Sequence, residues 1–392
     1  MLRLPAALLV ALPLLHALAV HAASADEDPE ANPAPRESIS VTGERERAPD
    51  WNYRRQHLLP EVDAASNAIT VTKRSSVARL DEQPPVLDND VRALFARLPG
   101  LFVSEQQNPS QWNFSYRGLG NPQESEFVLV LQDGLPIESD WIGFPTIYYT
   151  PMPQAIESVQ LIRGGASLLY GPQPAPVLNF VSRPTDPRVG MGGGSAENVF
   201  GAHRMFSTFE TWSGRREGWD FRVNAGERGG EGERSNGGYR VTQGDLHAGY
   251  VIDSRRRLDL DLHGYGSTSG DPGRLSLAQY QADRDTTSTP FNRVWVERDT
   301  AVLRYEDKPD ARSGLAAKLW TGWQDLARRT AAAAVAPQPQ PATTVVEDQR
   351  FRYTGLDVRW LQRWSRANAF TAGAVLYDST SPWRQYVSGN LA

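Results

Sequence analysis

The stretch QLIRGGASLLYGPQPAPVLNFVSRP, residues 160–184, sets Gly164, Gly165 and Gly171 between two apolar runs. Glycine turns of this kind can cradle a phosphate, but the neighbouring residues do not support that chemistry. RGGASLLYGP has neither the lysine and hydroxyl of G-x-x-x-x-G-K-[ST] nor the spacing of G-x-G-x-x-G. The 392-residue chain contains no cysteine, which removes disulfides, thiolate metal sites and a cysteine nucleophile. Of six histidines, His16 and His21 fall in an apolar N-terminal run, while His57, His203, His247 and His263 are scattered without metal-ligand spacing. No catalytic set and no directly bound cofactor or metal is expected. The net charge of −5 argues against a nucleic-acid partner.

The elements around that loop are organised by compartment. Residues 1–25 carry Arg3, an apolar run from Leu4 to Val20 and the small-residue patterns VHA and ASA. This is the pattern of a secretory signal peptide, cleaved near Ala22 or Ala25. Residues 26–50 are polar and proline-bearing, with too little apolar surface to order themselves. Within them ESISVTG, Glu37 to Gly43, alternates Ile39 and Val41 with Ser38, Ser40 and Thr42. A lone strand of this type is unstable alone but can add to the sheet edge of a partner.

Residues 51–185 read as a compact α+β domain. Val91, Leu94, Phe95 and Leu98 have helical spacing, ended by Pro99-Gly100. Strands are expected at Phe114 to Arg117, in FVLVLQDG with Asp133-Gly134 as a hairpin turn, in IESVQLIRGG and in PVLNFVSRP. From residue 186 the texture changes to long alternating runs. In RRLDLDLHGYGS, Leu258, Leu260, Leu262 and Gly264 share one face, and Asp259, Asp261, His263 and Tyr265 the other. In LAAKLWTGW, Leu315, Ala317, Leu319, Thr321 and Trp323 oppose Ala316, Lys318, Trp320 and Gly322. Further runs cover roughly 197–212, 217–228, 239–253, 298–307, 346–364 and 368–378, about eight strands in all. A membrane barrel with aromatic girdles and a soluble β-sandwich both produce this alternation. Two polar connections, Ser267 to Val296 and Ala327 to Thr344, are the length of extracellular loops and need not be ordered without ligand.

The glycine loop resembles the plug signature of TonB-dependent outer-membrane receptors. The matching residues are Ile156-Glu157, Val159, Leu161-Ile162, Arg163-Gly164-Gly165, Tyr170-Gly171 and Leu178-Asn179-Phe180. LPGLFV (98–103), YRGLG (116–120) and VLQDGLPI (130–137) precede it in the family's order, and ESISVTG matches its TonB box. Within the family, NFVSRP and GDPGRLSLAQYQADRDTTSTPFNRVW (270–295) are similar to ferric dicitrate receptors. A departure is Ala175-Pro176, where a Gly-Gly pair is usual.

The resemblance implies an α+β plug domain followed by antiparallel transmembrane β-barrel strands in the outer membrane, and no enzyme activity. About eight of the roughly 22 strands of such barrels would be present, so the chain is expected to be an N-terminal portion or truncated product that does not transport by itself. The stretch from Asp26 to Arg36 is too short for a periplasmic signalling domain. Expected partners are TonB with its inner-membrane energising complex, engaged through Glu37, Ser38, Ile39, Ser40, Val41 and Thr42, together with outer-membrane lipid. Plug positions implied are Arg117, Gly118, Asp133, Gly134, Glu157, Arg163, Gly164, Gly165, Tyr170, Gly171 and Asn179, with Arg117, Glu157 and Arg163 as charges needing partners in a confined lumen. The transported ligand would be a ferric chelate, ferric citrate first, with another siderophore or cobalamin as alternatives; a secreted soluble β-rich binding protein is the alternative to a receptor. An anionic chelate suits arginines that grip carboxylates, and Arg274, Arg293, Arg350 and Arg352 are the candidates.

Overall fold

The computed structural model describes residues 75–81, 83, 91–105, 112–119, 127–137, 148–163, 176–185, 190, 192–310, 312–331, 344–365 and 368–389. The leader, the tail with Glu37–Thr42, and Gly164, Gly165, Tyr170 and Gly171 lie outside them.

The front domain is built on a five-stranded sheet. Its strands are β1 (Ser75–Arg79), β4 (Leu129–Gln132), β5 (Leu135–Pro136), β6 (Ile156–Ile162) and β7 (Val177–Ser182), ordered β1-β6-β7-β4-β5. A separate ribbon pairs β2 (Leu101–Glu105) with β3 (Trp112–Tyr116). Central strands β6 and β7 are almost continuously buried because both faces are covered. Val159, Leu161 and Leu178 are fully buried. The helical spacing at residues 91–98 yields one short 3-10 segment, Val91–Phe95. Its apolar positions still do the expected packing: Leu94, Phe95 and Leu98 are buried, and Phe95 stands edge-on to Phe114 at 4.8 Å. Asp133 and Gly134 form the two-residue turn between β4 and β5, with φ of 50° and 77°, the left-handed pair that a tight hairpin requires.

The second unit is a long antiparallel sheet of β8 (Gly193–Phe200), β9 (Phe206–Arg216), β10 (Trp219–Gly230), β11 (Tyr239–Val251), β12 (Arg256–Gly270), β13 (Arg293–Asp307), β14 (Ser313–Ala331), β15 (Thr344–Arg363), β16 (Ala369–Thr380) and β17 (Trp383–Ser388). Both β16 and β17 pair with the same side of β15, Thr380 opposite Arg352 and Trp383 opposite Gln349. They are one ribbon broken at Ser381-Pro382, where proline removes a ladder donor. The sheet is therefore nine ribbons wide, open at β8 and at β16–β17. Nine replaces the expected eight because the run at 197–212 is two strands. Phe200 faces Phe206 across a turn in which His203 and Arg204 both have φ of 54°. Neither residue type signals such a turn.

Burial along the strands is inverted relative to a soluble protein. On β12, Arg257, Asp259 and Asp261 are buried, while Leu258 and Leu260 are exposed. Outward leucines line up across strands: Ala248, Leu260, Leu303, Leu319, Leu356 and Leu376 are successive ladder partners. The outward apolar band runs from Leu315 to Trp323 on β14 and from Trp360 back to Arg352 on β15. That matches the roughly 9–11 residues with which a tilted strand crosses a bilayer. Trp219 with Tyr250 (4.5 Å) and Trp360 with Phe370 (6.1 Å) mark the end with short turns. An apolar band closed by an aromatic girdle is a lipid-facing wall.

Among the short turns, Asp253 is held by the Arg256 guanidinium and by the backbone N–H groups of Arg255 and Arg256, which lowers it from 3.8 to about 2. At the opposite end, the connection between β12 and β13 is ordered. It contains helix α1 (Leu277–Ala282), closed by a Ser276–Gln279 capping box. Arg234 donates to the carbonyls of Pro272, Gly273 and Thr286, and Asn236 to those of Asp271, Thr289 and Asn292.

Candidate functional site

The inward face of the sheet is where the front domain docks. Consecutive ladder partners place Asp220, Gly249, Asp259, Arg304, Lys318 and Asp357 in one row across it. A row above holds Arg222, His247 and Asp261, and a row below holds Arg257 and Glu306. Charges withdrawn from water in this way persist only with partners. Arg257 binds Asp220 and Asp259, each at 2.7 Å. His247 stands 2.9 Å from Asp261 through Nδ1 and 3.0 Å from Asp220 through Nε2. Arg304, 1% exposed, pairs with Asp261.

Room for this lattice is made by a glycine. A Cβ at Gly249 would run into the Arg257 guanidinium and the Asp259 carboxylate. Gly249→Ala is accordingly expected to lower stability by about 1–3 kcal/mol, the usual cost of overpacking, as read from denaturant unfolding in detergent.

The Asp133-Gly134 turn meets this lattice. The Asp133 carboxylate lies 3.9 Å from Arg304, and its backbone oxygen accepts from Lys318 Nζ at 3.4 Å. On its own side, Asp133 accepts from the Ser182 N–H at 2.9 Å, and Gly134 donates to Asn179 Oδ1 at 2.9 Å. Asn179 also donates to Gln160, so the turn, β6 and β7 are tied together before they touch the sheet. Above the charges comes an aromatic layer. Arg298 lies over Tyr149 (5.4 Å) and Tyr353 (5.2 Å) and donates to the Ile137 carbonyl at 3.3 Å. Leu135 packs with Val302, Trp320, Phe351 and Tyr353. Higher still, Arg328 donates to the Tyr148 hydroxyl at 2.6 Å, and Tyr239, Val241, Tyr265, Val294, Val296 and Leu326 join the core of the front domain. The cavity left between the units is about 20 Å³, lined in part by Gln132, Tyr149, Arg298 and Tyr353. It has room for about one water molecule.

Residues 64–175 match the family model of the TonB-dependent Receptor Plug Domain. The whole architecture is similar to solved structures of ferric citrate transporter FecA in the unliganded form (TM-score 0.69, 22% identity, 80% of this chain and 48% of that one). It is likewise similar to the ferric yersiniabactin uptake receptor FyuA from Yersinia pestis (0.66, 17%, 84% and 51%). A third match is the ferripyoverdine receptor of the outer membrane of Pseudomonas aeruginosa (0.63, 12%, 83% and 45%). The chain has the plug-and-barrel fold of TonB-dependent receptors. It is the fold of outer-membrane β-barrel proteins, and the chain spans about half the length of these matches. The front domain is the plug, and the sheet is the leading part of the barrel wall.

The plug residues singled out from sequence are brought together only in part. Asp133, Gly134 and Asn179 form the docking turn described above. Arg163 donates to Ser76 at 2.8 Å and joins β6 to β1, and the Glu157 carbonyl accepts from the Leu80 N–H. Arg117 and Gly118 sit on an exposed left-handed turn, with Arg117 over its neighbour Tyr116 at 5.2 Å.

The arginine set needs a larger correction. Arg274 is exposed on the ordered loop before α1. Arg293, by contrast, has outward parity, between the buried inward Asn292 and Val294. Arg350 and Arg352 alternate with the buried Phe351 and Tyr353 and share the face of Leu356 and Trp360. Strand alternation therefore sets these three on the outer side of the wall, away from the lumen, with Arg293 opposite Arg329 and above the apolar band. The inward cations instead include Arg222, Arg228, Arg257, Arg298, Arg304, Lys318, Arg328 and Arg359, which sequence reading passed over. Their signal was visible as charged residues spaced two apart within apolar strands. Among the described residues no His, Cys, Asp and Glu group could hold a metal ion; in the His247 cluster that space belongs to guanidinium groups.

Proposed function

We propose that the chain is the N-terminal part of a TonB-dependent outer-membrane receptor that takes up a ferric chelate of the citrate type. The observation carrying this reading is the plug itself. It is held against the lumen wall by a small set of ion pairs and hydrogen bonds centred on Asp133, and a cavity between the two, lined in part by Tyr149, Arg298 and Tyr353, has room for about one water molecule. A stopper of this construction serves a gated uptake route. No bond in the cargo is made or broken, so the protein acts as a receptor and not as an enzyme, and iron travels inside its chelate as cargo.

Energy would enter through Glu37–Thr42, whose alternating pattern suits strand addition to TonB. Citrate is favoured over other chelates by the residue 270–295 loop motif and by the similarity to the FecA fold. Of the four arginine candidates, Arg274 alone remains in a position to meet a chelate arriving from outside. Outer membranes carrying the protein are to be titrated with ferric citrate and with a ferric hydroxamate. Saturable binding of citrate only, weakened several-fold by Arg274→Gln, supports the proposal. Hydroxamate-selective binding, or no saturable binding of either, overturns it.

A further inference from the structure

Two of the arginines displaced from the lumen, Arg350 and Arg352, occupy a defined height on the outer face. Arg352 stands opposite Trp323 at the upper limit of the apolar band, and Arg350 stands one outward position higher, opposite Asp325. Arg384 follows in the next row, donating to Asp348 at 2.8 Å. This is the end of the wall bearing the long connections, which face the exterior in such barrels. Outward acids at this level are Asp325 on β14 and Asp348 on β15, beside the arginines, and Glu297 and Asp299 on β13. The two on β13 are two strands from Arg350 and Arg352, roughly 10 Å away. Arg350 is half exposed, and its separation from Asp325 is 4.0 Å, a loose pair of the kind that contributes little. Arg352 is exposed as well, so both guanidinium forks can turn from Asp325 toward a planar, multivalent acceptor at the level where lipid headgroups begin.

We propose that Arg350 and Arg352, with Trp323 beneath them, form a binding surface for the phosphate groups of anionic lipid in the outer leaflet. Arginine forks match phosphate bidentately, and tryptophan seats at the boundary between hydrocarbon and headgroups. Arg384 extends the ridge upward. The surface rests on the outer-membrane reading of the wall, but not on the identity of the chelate.

The test is flotation of the full chain with vesicles of phosphatidylcholine alone and of phosphatidylcholine doped with an acidic phospholipid. The wild-type protein is expected to associate with both and to bind the doped vesicles more tightly. The double variant Arg350→Gln/Arg352→Gln should bind plain vesicles normally and lose roughly 20- to 30-fold of its affinity for the doped ones. Arg350→Lys/Arg352→Lys should keep most of that preference, showing that loss in the glutamine variant is not misfolding. Arg216→Gln, at the opposite end of the wall, should keep all of it. Full preference in the glutamine variant overturns the proposal while leaving the membrane reading intact. Abolition of the preference by millimolar inorganic phosphate at fixed ionic strength would assign the site to free phosphate instead. Failure of the wild type to float with either vesicle would remove both readings together.

Discussion

Arg304→Ala is expected to cost about 3–5 kcal/mol of stability, because it leaves the buried carboxylate of Asp261 without its guanidinium partner and withdraws the guanidinium beside the Asp133 carboxylate. Two consequences should separate. Denaturant unfolding in detergent should show the lower midpoint, and limited proteolysis should cut the plug faster while the wall strands remain protected. The second effect distinguishes a latch from a merely structural ion pair, since Asp261 also touches His247 and belongs to the wall whether or not the plug is seated. Arg304→Lys, which keeps the charge but not the fork, should fall between the wild type and alanine. An Arg304→Ala protein as stable as the wild type, with an equally protected plug, would show that the docking turn carries no weight.

Leu319→Arg should be nearly as damaging for the opposite reason. In a water-soluble sheet, replacing a half-exposed leucine by arginine is close to neutral. Leu319 is 49% exposed, yet it lies midway in the outward leucine row with Leu303 and Leu356 as ladder partners. Facing hydrocarbon, the arginine costs about 2–4 kcal/mol near the bilayer midplane, falling toward zero at its edges. The same substitution at Thr321, closer to the headgroup end, is expected to cost less. Equal and negligible effects at both positions would mean that the outer face meets water.

Much of this architecture is legible in the residues. The alternation in RRLDLDLHGYGS and LAAKLWTGW assigns the two faces of β12 and β14 correctly, because every second residue meets the same medium. Asp133-Gly134 is legible as a hairpin turn because few dipeptides accept two left-handed conformations. Other features were written in the sequence but need the parity rule applied strictly. Arg350 and Arg352 are an even number of residues from Leu356 and Trp360, and that spacing alone places them outward. The turn at His203-Arg204 has no local signature, since neither residue prefers positive φ, and β8 and β9 therefore read as one strand. The pairing of Asp133 with Arg304 and Lys318 depends on how a domain settles onto a sheet far along the chain. Nothing in local propensity encodes it.

The absence of cysteine makes the central claim, that leucines face lipid while charges face the plug, directly measurable. Single cysteines placed in turn at residues 315–320 of β14, labelled with a nitroxide in bilayer-embedded protein, report accessibility to oxygen from the lipid side. High oxygen accessibility at 315, 317 and 319, with low accessibility to both oxygen and a water-soluble relaxant at 316, 318 and 320, is the expected pattern. Labels at 315, 317 and 319 that instead meet the aqueous relaxant, or a profile without period two, would contradict the account.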